Sequence, residues 1–288
     1  ITIHPDNVLR LPITYAGTTY TGKTEAGTGS PLTGAVSGVS VTWPDTANFT
    51  ADGFFTLEGS ISRPSVYNYA YVSVVKDDTS ESTSYFPRNG FQTRIWLRFG
   101  PGAYTVKVMN LTSLGIDLAG EGDFSSWGYS SAPVYTFHVT NTRAEIGTYL
   151  YPSDPIQSDD YWVANLQRDL TFGLTDSRDK VKAIHDYVVQ YLYYDDASLV
   201  AGQRKKQDTI STLINRTAVC EGYVSLTNAL LRSAGLPAKA VSGDAGEAHA
   251  WTNVLIEGTW FFLDSTWDDP GPNDADPTSI SDKYYLLT

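Results

Sequence analysis

The sixteen residues HAWTNVLIEGTWFFLD, 249–264, decide how the second half of this chain folds. Two apolar, β-branched and aromatic runs flank Glu257-Gly258, a two-residue connection with Gly where a tight primed turn needs positive φ. With those two residues as the turn, Ile256 pairs with Thr259, and counting outward along both strands sets Asp264 opposite Trp251. His249 is two residues from Trp251 and so shares its face. Asp264 is then diagonal to His249 at about 7 Å between backbones, within reach of a side-chain hydrogen bond.

Upstream, RTAVCEGYVS (216–225) carries the only cysteine of the 288 residues. One cysteine forms neither an internal disulfide nor a Cys-rich zinc site, which leaves a small buried residue or a working thiol. Cys220 opens a helical pattern in which Tyr223, Leu226, Thr227, Leu230, Leu231 and Ala234 recur at three and four residues, until Gly235 and Pro237 stop it. A thiol in a first helical turn feels the positive end of the peptide dipoles, and the expectation is a pKa below its free value of about 8.5. Each of the three residues alone has a structural reading. Together, a helix-borne Cys with His and Asp on one face of a hairpin form a Cys-His-Asp constellation, in which a carboxylate orients an imidazole that takes the thiol proton.

Between residue 146 and the cysteine, helices are predicted. SDDYWVANLQRDL (158–170) and TDSRDKVKAIHDYVVQYL (175–192) open with capping residues, and Val181, Ile184, Val188 and Leu192 fall at helical spacing. DTISTLINR (208–216) reads as a short helix. With the strands AKAVSG, HAWTNVLI and TWFFLD after the cysteine helix, this half is α+β. Residues 1–145 read differently: YAYVSVV, RIWLRF, AYTVKVM and VYTFHV are short alternating runs separated by turn residues, with Gly-Pro-Gly at 100–102 as a turn between strands. That recurrence predicts an antiparallel β-sandwich.

Lys and Arg number 20 against 32 Asp and Glu, a formal charge of -12 that repels phosphate backbones and argues against nucleic acid as a partner. No apolar run reaches the roughly 18 residues a spanning helix needs. ITIHPDNVLR lacks the basic start and apolar stretch of a signal peptide, and an Ile start is compatible with a removed leader. Abundant Thr, Ser, Tyr and Gly suit a secreted or cell-surface bacterial protein, and the strand-like ending YYLLT hints at truncation.

The stretches CEGYVSLTNALLRSAGLPAKAVSG, HAWTNVLIEGTWFFLDSTWDDP and KYYLLT resemble the transglutaminase-like superfamily of papain-fold thiol enzymes, in particular its secreted bacterial members. TYLYPSDPIQSDD and DKVKAIHDYVVQYLYYDD resemble the lead-in helices of the same proteins, so the likeness covers about residues 146–288. It implies a transglutaminase-like/papain-like domain over 146–288, with Cys220 as nucleophile, His249 as general base and Asp264 as orienting carboxylate. The first half is covered only in kind: such proteins often carry a β-sandwich, here expected over 1–145 and immunoglobulin-like. Where many relatives read His-Ala-Trp-Asn, this chain has Thr252, which alternation turns away from the His249 face.

The implied activity is thiol-dependent acyl transfer on protein or peptide amides at the surface or cell wall of a Gram-positive bacterium, without a cofactor. A cysteine peptidase with the same triad is the nearest alternative; a non-catalytic adhesion or carbohydrate-binding protein is another. The tetrahedral oxyanion takes one donor from the Cys220 backbone N–H, and Tyr194 in QYLYYDD is the candidate second donor beside its reading as a core tyrosine. Other residues have plainer readings. His185 is packing or surface, and His4 and His138 have no partner pattern. DDPGPNDADP (268–277), with Asp268, Asp269, Asp274 and Asp276, is weighed as a Ca²⁺ site, but it lacks the alternating ligands and closing Glu of an EF-hand loop and reads as a solvated Pro-rich loop. Trp251, Trp260 and Trp267 read as core packing. GTGSPLTG (27–34) lacks the Lys-Ser/Thr ending of a phosphate loop.

Overall fold

A computed structural model describes residues 13–23, 28–31, 38–61, 70–88, 90–113, 128–129, 133–197, 205–269 and 280–288. The described chain forms two compact units, one running to Thr148 and the other starting at Tyr149. His4, Asp274, Asp276 and half of GTGSPLTG lie outside the described residues.

The first unit is strand-rich, with several sheets. One has the order Gly22–Lys23, Thr46–Asp52, Tyr135–Asn141, Gly102–Ser113, Ala70–Lys76, Ser82–Tyr85, and another the order Gln92–Trp96, Phe54–Ile61, Val39–Trp43. The alternation of the sequence explains the burial: Val72, Val74, Val106, Val108 and Phe137 point one way into a cluster to which Val41, Phe55, Leu57 and Ile95 of the smaller sheet contribute. The four runs picked out by alternation all contain strands, but the expectation of wholly antiparallel pairing fails at one place. Thr46–Asp52 and Tyr135–Asn141 pair in parallel, as two strands far apart in sequence are free to do. Gly-Pro-Gly at 100–102 links strands of different sheets, with Gly100 and Gly102 at φ 86 and 119. The Tyr104 hydroxyl donates to Gly100 O at 2.7 Å and accepts from Phe99 N–H at 3.0 Å, and burial pushes its pKa up to about 12.

The second unit is built around one helix. Helices α1 (Tyr161–Leu170), α2 (Ser177–Tyr191) and α3 (Thr209–Asn215) pack against α4 (Cys220–Ser233), and so does the sheet of Ala238–Asp244, Ala248–Ile256 and Thr259–Leu263. The first three helices start at Asp160, Asp176 and Asp208, each accepting from a backbone N–H of its own first turn. The apolar stripe read for α4 is only part of its buried surface. Every residue from Gly222 to Ser233 is buried, because neighbours close on several sides, and Thr227 and Asn228 are as enclosed as Leu230. The helices and the inner sheet face, with Ala238, Val254, Ile256, Phe261 and Leu263, share one apolar cluster. Burial of this kind contributes on the order of 25 cal/mol per Å² of apolar surface.

The hairpin has the register read from its turn: Ile256 pairs with Thr259, Leu255 with Trp260 and Thr252 with Leu263, around Glu257 and Gly258 at φ 50 and 82. Thr252 is 2% exposed on the inner face, away from His249.

Candidate active site

The approach to Cys220 fixes where its helix begins. Thr217–Ala218 pairs in parallel with Tyr193–Tyr194, and Val219 is extended at φ -92 and ψ -179, with no side-chain cap on the helix it starts. Gln207 holds this corner: its Oε1 accepts Val219 N–H at 3.0 Å, while its own carbonyl accepts the Ser225 hydroxyl at 2.7 Å. Gly222 is required by the same packing. A Cβ there would lie 2.5 Å from Ala218 Cβ, 2.6 Å from Gln207 Oε1 and 2.9 Å from Thr212 Oγ1. The Cys-Glu-Gly sequence thus lets the first turn of α4 press against the strand that leads into it.

The thiol is half-buried. Burial is the largest influence on its pKa and pushes it up; the Ala250 and Glu221 N–H groups favour the thiolate, whereas the charges of Glu221 and Asp264 oppose it. The expectation of a pKa below the free value is therefore corrected: desolvation, the largest influence, pushes it up. A thiol in this pocket becomes thiolate by handing its proton to a base. The helix that Cys220 opens packs against the strand that carries His249 and Ala250.

His249 is 7% exposed and Asp264 is fully buried, and His249 Nε2 lies 2.7 Å from Asp264 Oδ2. A buried carboxylate only accepts, so Nε2 carries the proton of this bond, and Nδ1 is the ring nitrogen left to act as a base. The second carboxylate oxygen is fixed too: Oδ1 accepts Thr266 N–H at 3.1 Å and Trp267 N–H at 3.2 Å. Asp264 lies one residue past its strand, where its N–H donates to Tyr284 O at 3.1 Å instead of continuing the hairpin ladder. The facing relation read from the register survives, and the side chains close the diagonal gap.

Trp267 was read as core packing, as were Trp251 and Trp260. All three are half-buried on or beside the outer sheet face. The Trp267 ring stacks on His249 with centroids 4.5 Å apart and planes 8° from parallel, and Tyr284 packs behind it at 5.0 Å. The imidazole plane is thus set by a carboxylate at its edge and an indole across its face. No spacing rule points to this contact, since Trp267 follows a turn whose course depends on Tyr284.

Tyr194 stands opposite Ala218, two residues before the cysteine, with its ring 6.3 Å from that of Tyr223. Two other readings are decided: packing for His185, and against solvation for the start of the acidic segment. His185 is fully buried and never at the surface, with Nδ1 3.0 Å from Asp186 Oδ1 and Nε2 3.2 Å from Asp268 Oδ2. Asp268 is fully buried and Asp269 accepts the Tyr223 hydroxyl, so the start of the acidic segment is packed rather than solvated. His185, Asp186 and Asp282 bring ligand atoms within 4.8 Å of one another, but the Lys182 ammonium already lies 2.6 Å from Asp186 and 3.1 Å from Asp282. That cluster is an ion-pair network.

The candidate site thus consists of a cysteine at the start of α4 and a buried His-Asp pair on the hairpin against which α4 packs. Among known proteins, residues 164–265 match the model described as the transglutaminase-like superfamily. The kyphoscoliosis peptidase of Homo sapiens is 28% identical over 128 residues, covering 38% of this chain and 19% of that protein. The chain thus spans about a fifth of the length of this curated relative. A solved TGase is 25% identical over 43% of this chain and 35% of its own, with a TM-score of 0.31. A solved protein of Cytophaga hutchinsonii, carrying a provisional cysteine protease name, is 17% identical over 74% of each chain, with a TM-score of 0.37.

Proposed function

We propose that this chain is a thiol-dependent acyl-transfer enzyme acting on protein or peptide amides through Cys220, His249 and Asp264. The observation that carries the reading is the 2.7 Å bond between His249 Nε2 and buried Asp264, on the hairpin against which the Cys220 helix packs. In the first step His249 Nδ1 takes the thiol proton and the sulfur attacks the amide carbonyl. Asp264 stabilises the imidazolium that results and holds the ring in one tautomer. The oxyanion is assigned to the Cys220 backbone N–H at the uncapped start of α4 and to the Tyr194 phenol. Imidazolium then protonates the leaving nitrogen, the C–N bond breaks, and a thioester remains. A primary amine, deprotonated by His249, resolves the thioester to a new amide; water resolves it to an acid.

Residues 1–145 are proposed to form an immunoglobulin-like sandwich domain ahead of a catalytic domain of 146–288, in a secreted or cell-surface bacterial protein whose substrates are cell-wall-associated proteins or peptides. No metal enters the mechanism. The second reading, a cysteine peptidase with the same three residues, is favoured by the name of the human relative, a peptidase.

Incubation with a glutamine-bearing peptide and a labelled primary amine separates the readings. Acyl transfer predicts stoichiometric ammonia release and amine incorporation, both abolished in Cys220→Ala. Cleavage of the peptide without incorporation makes the protein a peptidase. Turnover of neither, with binding to wall glycan that survives Cys220→Ala, contradicts catalysis and leaves an adhesion protein.

A further inference from the structure

Among the described residues a second buried His-carboxylate pair lies outside the Cys220, His249 and Asp264 group. His185 on α2 and Asp268 both have no solvent exposure, and His185 Nε2 lies 3.2 Å from Asp268 Oδ2. The two carboxylates around this imidazole differ. Asp186 is paired with Lys182, which also reaches Asp282, whereas the side chain facing Asp268 is His185. A carboxylate shut from water is costly without a donor or a counter-charge, and the His185 ring shares with the Tyr284 N–H the task of making a buried Asp268 tolerable.

Asp268 in turn holds the segment around the catalytic carboxylate. Its Oδ1 and Oδ2 accept Tyr284 N–H at 3.0 and 3.2 Å, and its own N–H donates to Asp264 O at 3.1 Å. Tyr284 O accepts Asp264 N–H at 3.1 Å, and the Tyr284 ring packs on Trp267, the indole stacked against His249. Two chains of contact therefore leave Asp268: one through backbone to Asp264, the other through aromatic rings to His249. Both end on the groups that set the imidazole plane.

We propose that His185 and Asp268 are positioning residues for the reaction: the pair clamps the turn from Asp264 to Asp268 against Tyr284 and so fixes Asp264 and Trp267 around His249. The proposal rests on the catalytic reading above. It predicts that the pair governs the reactivity of the Cys220 thiol without touching it, because a displacement of an imidazole by about 1 Å is enough to cost on the order of a hundredfold in rate.

The test is the rate at which iodoacetamide alkylates the single thiol of the intact chain at about pH 7. His185→Leu, which removes the ring nitrogen facing Asp268, should slow alkylation by about tenfold to a hundredfold. His185→Gln, which keeps an N–H donor, should stay within about threefold of the unsubstituted protein. Val188→Ala truncates a fully buried residue of the same helix and serves as the control for lost stability: it should lower the melting temperature and leave the rate unchanged. The proposal is overturned if His185→Leu folds and reacts at the unsubstituted rate, or if Val188→Ala slows alkylation as much. Should His185→Leu not fold, Asp268→Asn is judged by the same criterion. If His249→Ala fails to slow the unsubstituted protein, the catalytic reading falls and this one with it, whereas a His249-dependent rate indifferent to His185 overturns the positioning role alone.

Discussion

Asp264 has both carboxylate oxygens occupied, one by His249 and the other by two backbone N–H groups, and none of it reaches solvent. Asp264→Asn retains the shape and the backbone contacts but presents an amide where the imidazole needs a carboxylate. Turnover of an amide donor should drop by about 10⁴-fold while circular dichroism and melting temperature stay close to the original. Tyr194→Phe removes one hydroxyl from the lead-in strand, and if the phenol donates to the oxyanion, kcat should fall by about 10²–10³-fold with KM little changed. An unchanged kcat would return Tyr194 to a packing role. At this scale the sequence was most informative where covalent geometry constrains it: a two-residue turn sets register, register sets face, and His249 and Asp264 met as their numbering required. The Trp267 stack and the burial of Asp268 were not legible, because both depend on where residues near Tyr284 return, which no local pattern encodes. The pKa direction of Cys220 was misread for a similar reason. The helix start is visible in sequence, but desolvation, the largest influence on this thiol, is a property of the folded structure.

Helix α4 shows what one element must satisfy at once. It offers an uncapped N-terminus to the thiol, and from Gly222 onward it lies inside the protein. Periodicity found the helix and its stop at Gly235. It gave no sign that polar positions such as Ser225 and Asn228 are also enclosed, since a stripe records one packing face and this helix has several. The constraint at Gly222 is sharp enough to test. Gly222→Ala places a methyl group 2.5 Å from Ala218 Cβ, so Ala218 and Gln207 must give way. Overpacking of this kind costs about 1–3 kcal/mol. Chemical denaturation should show a loss in that range, accompanied by slower thiol alkylation because the displaced corner carries Cys220. Unchanged stability and reactivity would mean the first turn relaxes freely.

At the scale of the whole molecule, the two buried clusters share no residue. Phe137→Ala in the first should cost about 3–5 kcal/mol by denaturant unfolding and leave alkylation of Cys220 unaffected; slowed alkylation would show that the first unit supports the site. Among the described residues no helix is long and apolar enough to cross a membrane. The strand-to-helix change near residue 146 was readable from the shift in hydrophobic period, whereas the order of strands in the first unit was not, since pairing between distant strands leaves no periodic trace. The central claim concerns the one thiol of the 288 residues, and it can be tested on the whole chain without labelling any other site. The measurement is the pH dependence of Cys220 alkylation in the unsubstituted protein and in His249→Ala. Burial raises the pKa of the isolated thiol, so at neutral pH it holds its proton more firmly than a free cysteine. The account predicts that His249→Ala reacts only as pH rises past the ordinary thiol value of about 8.5, while the unsubstituted protein stays reactive well below pH 7 because the imidazole takes the proton. Superimposable profiles for the two proteins would contradict it and leave Cys220 a buried structural residue.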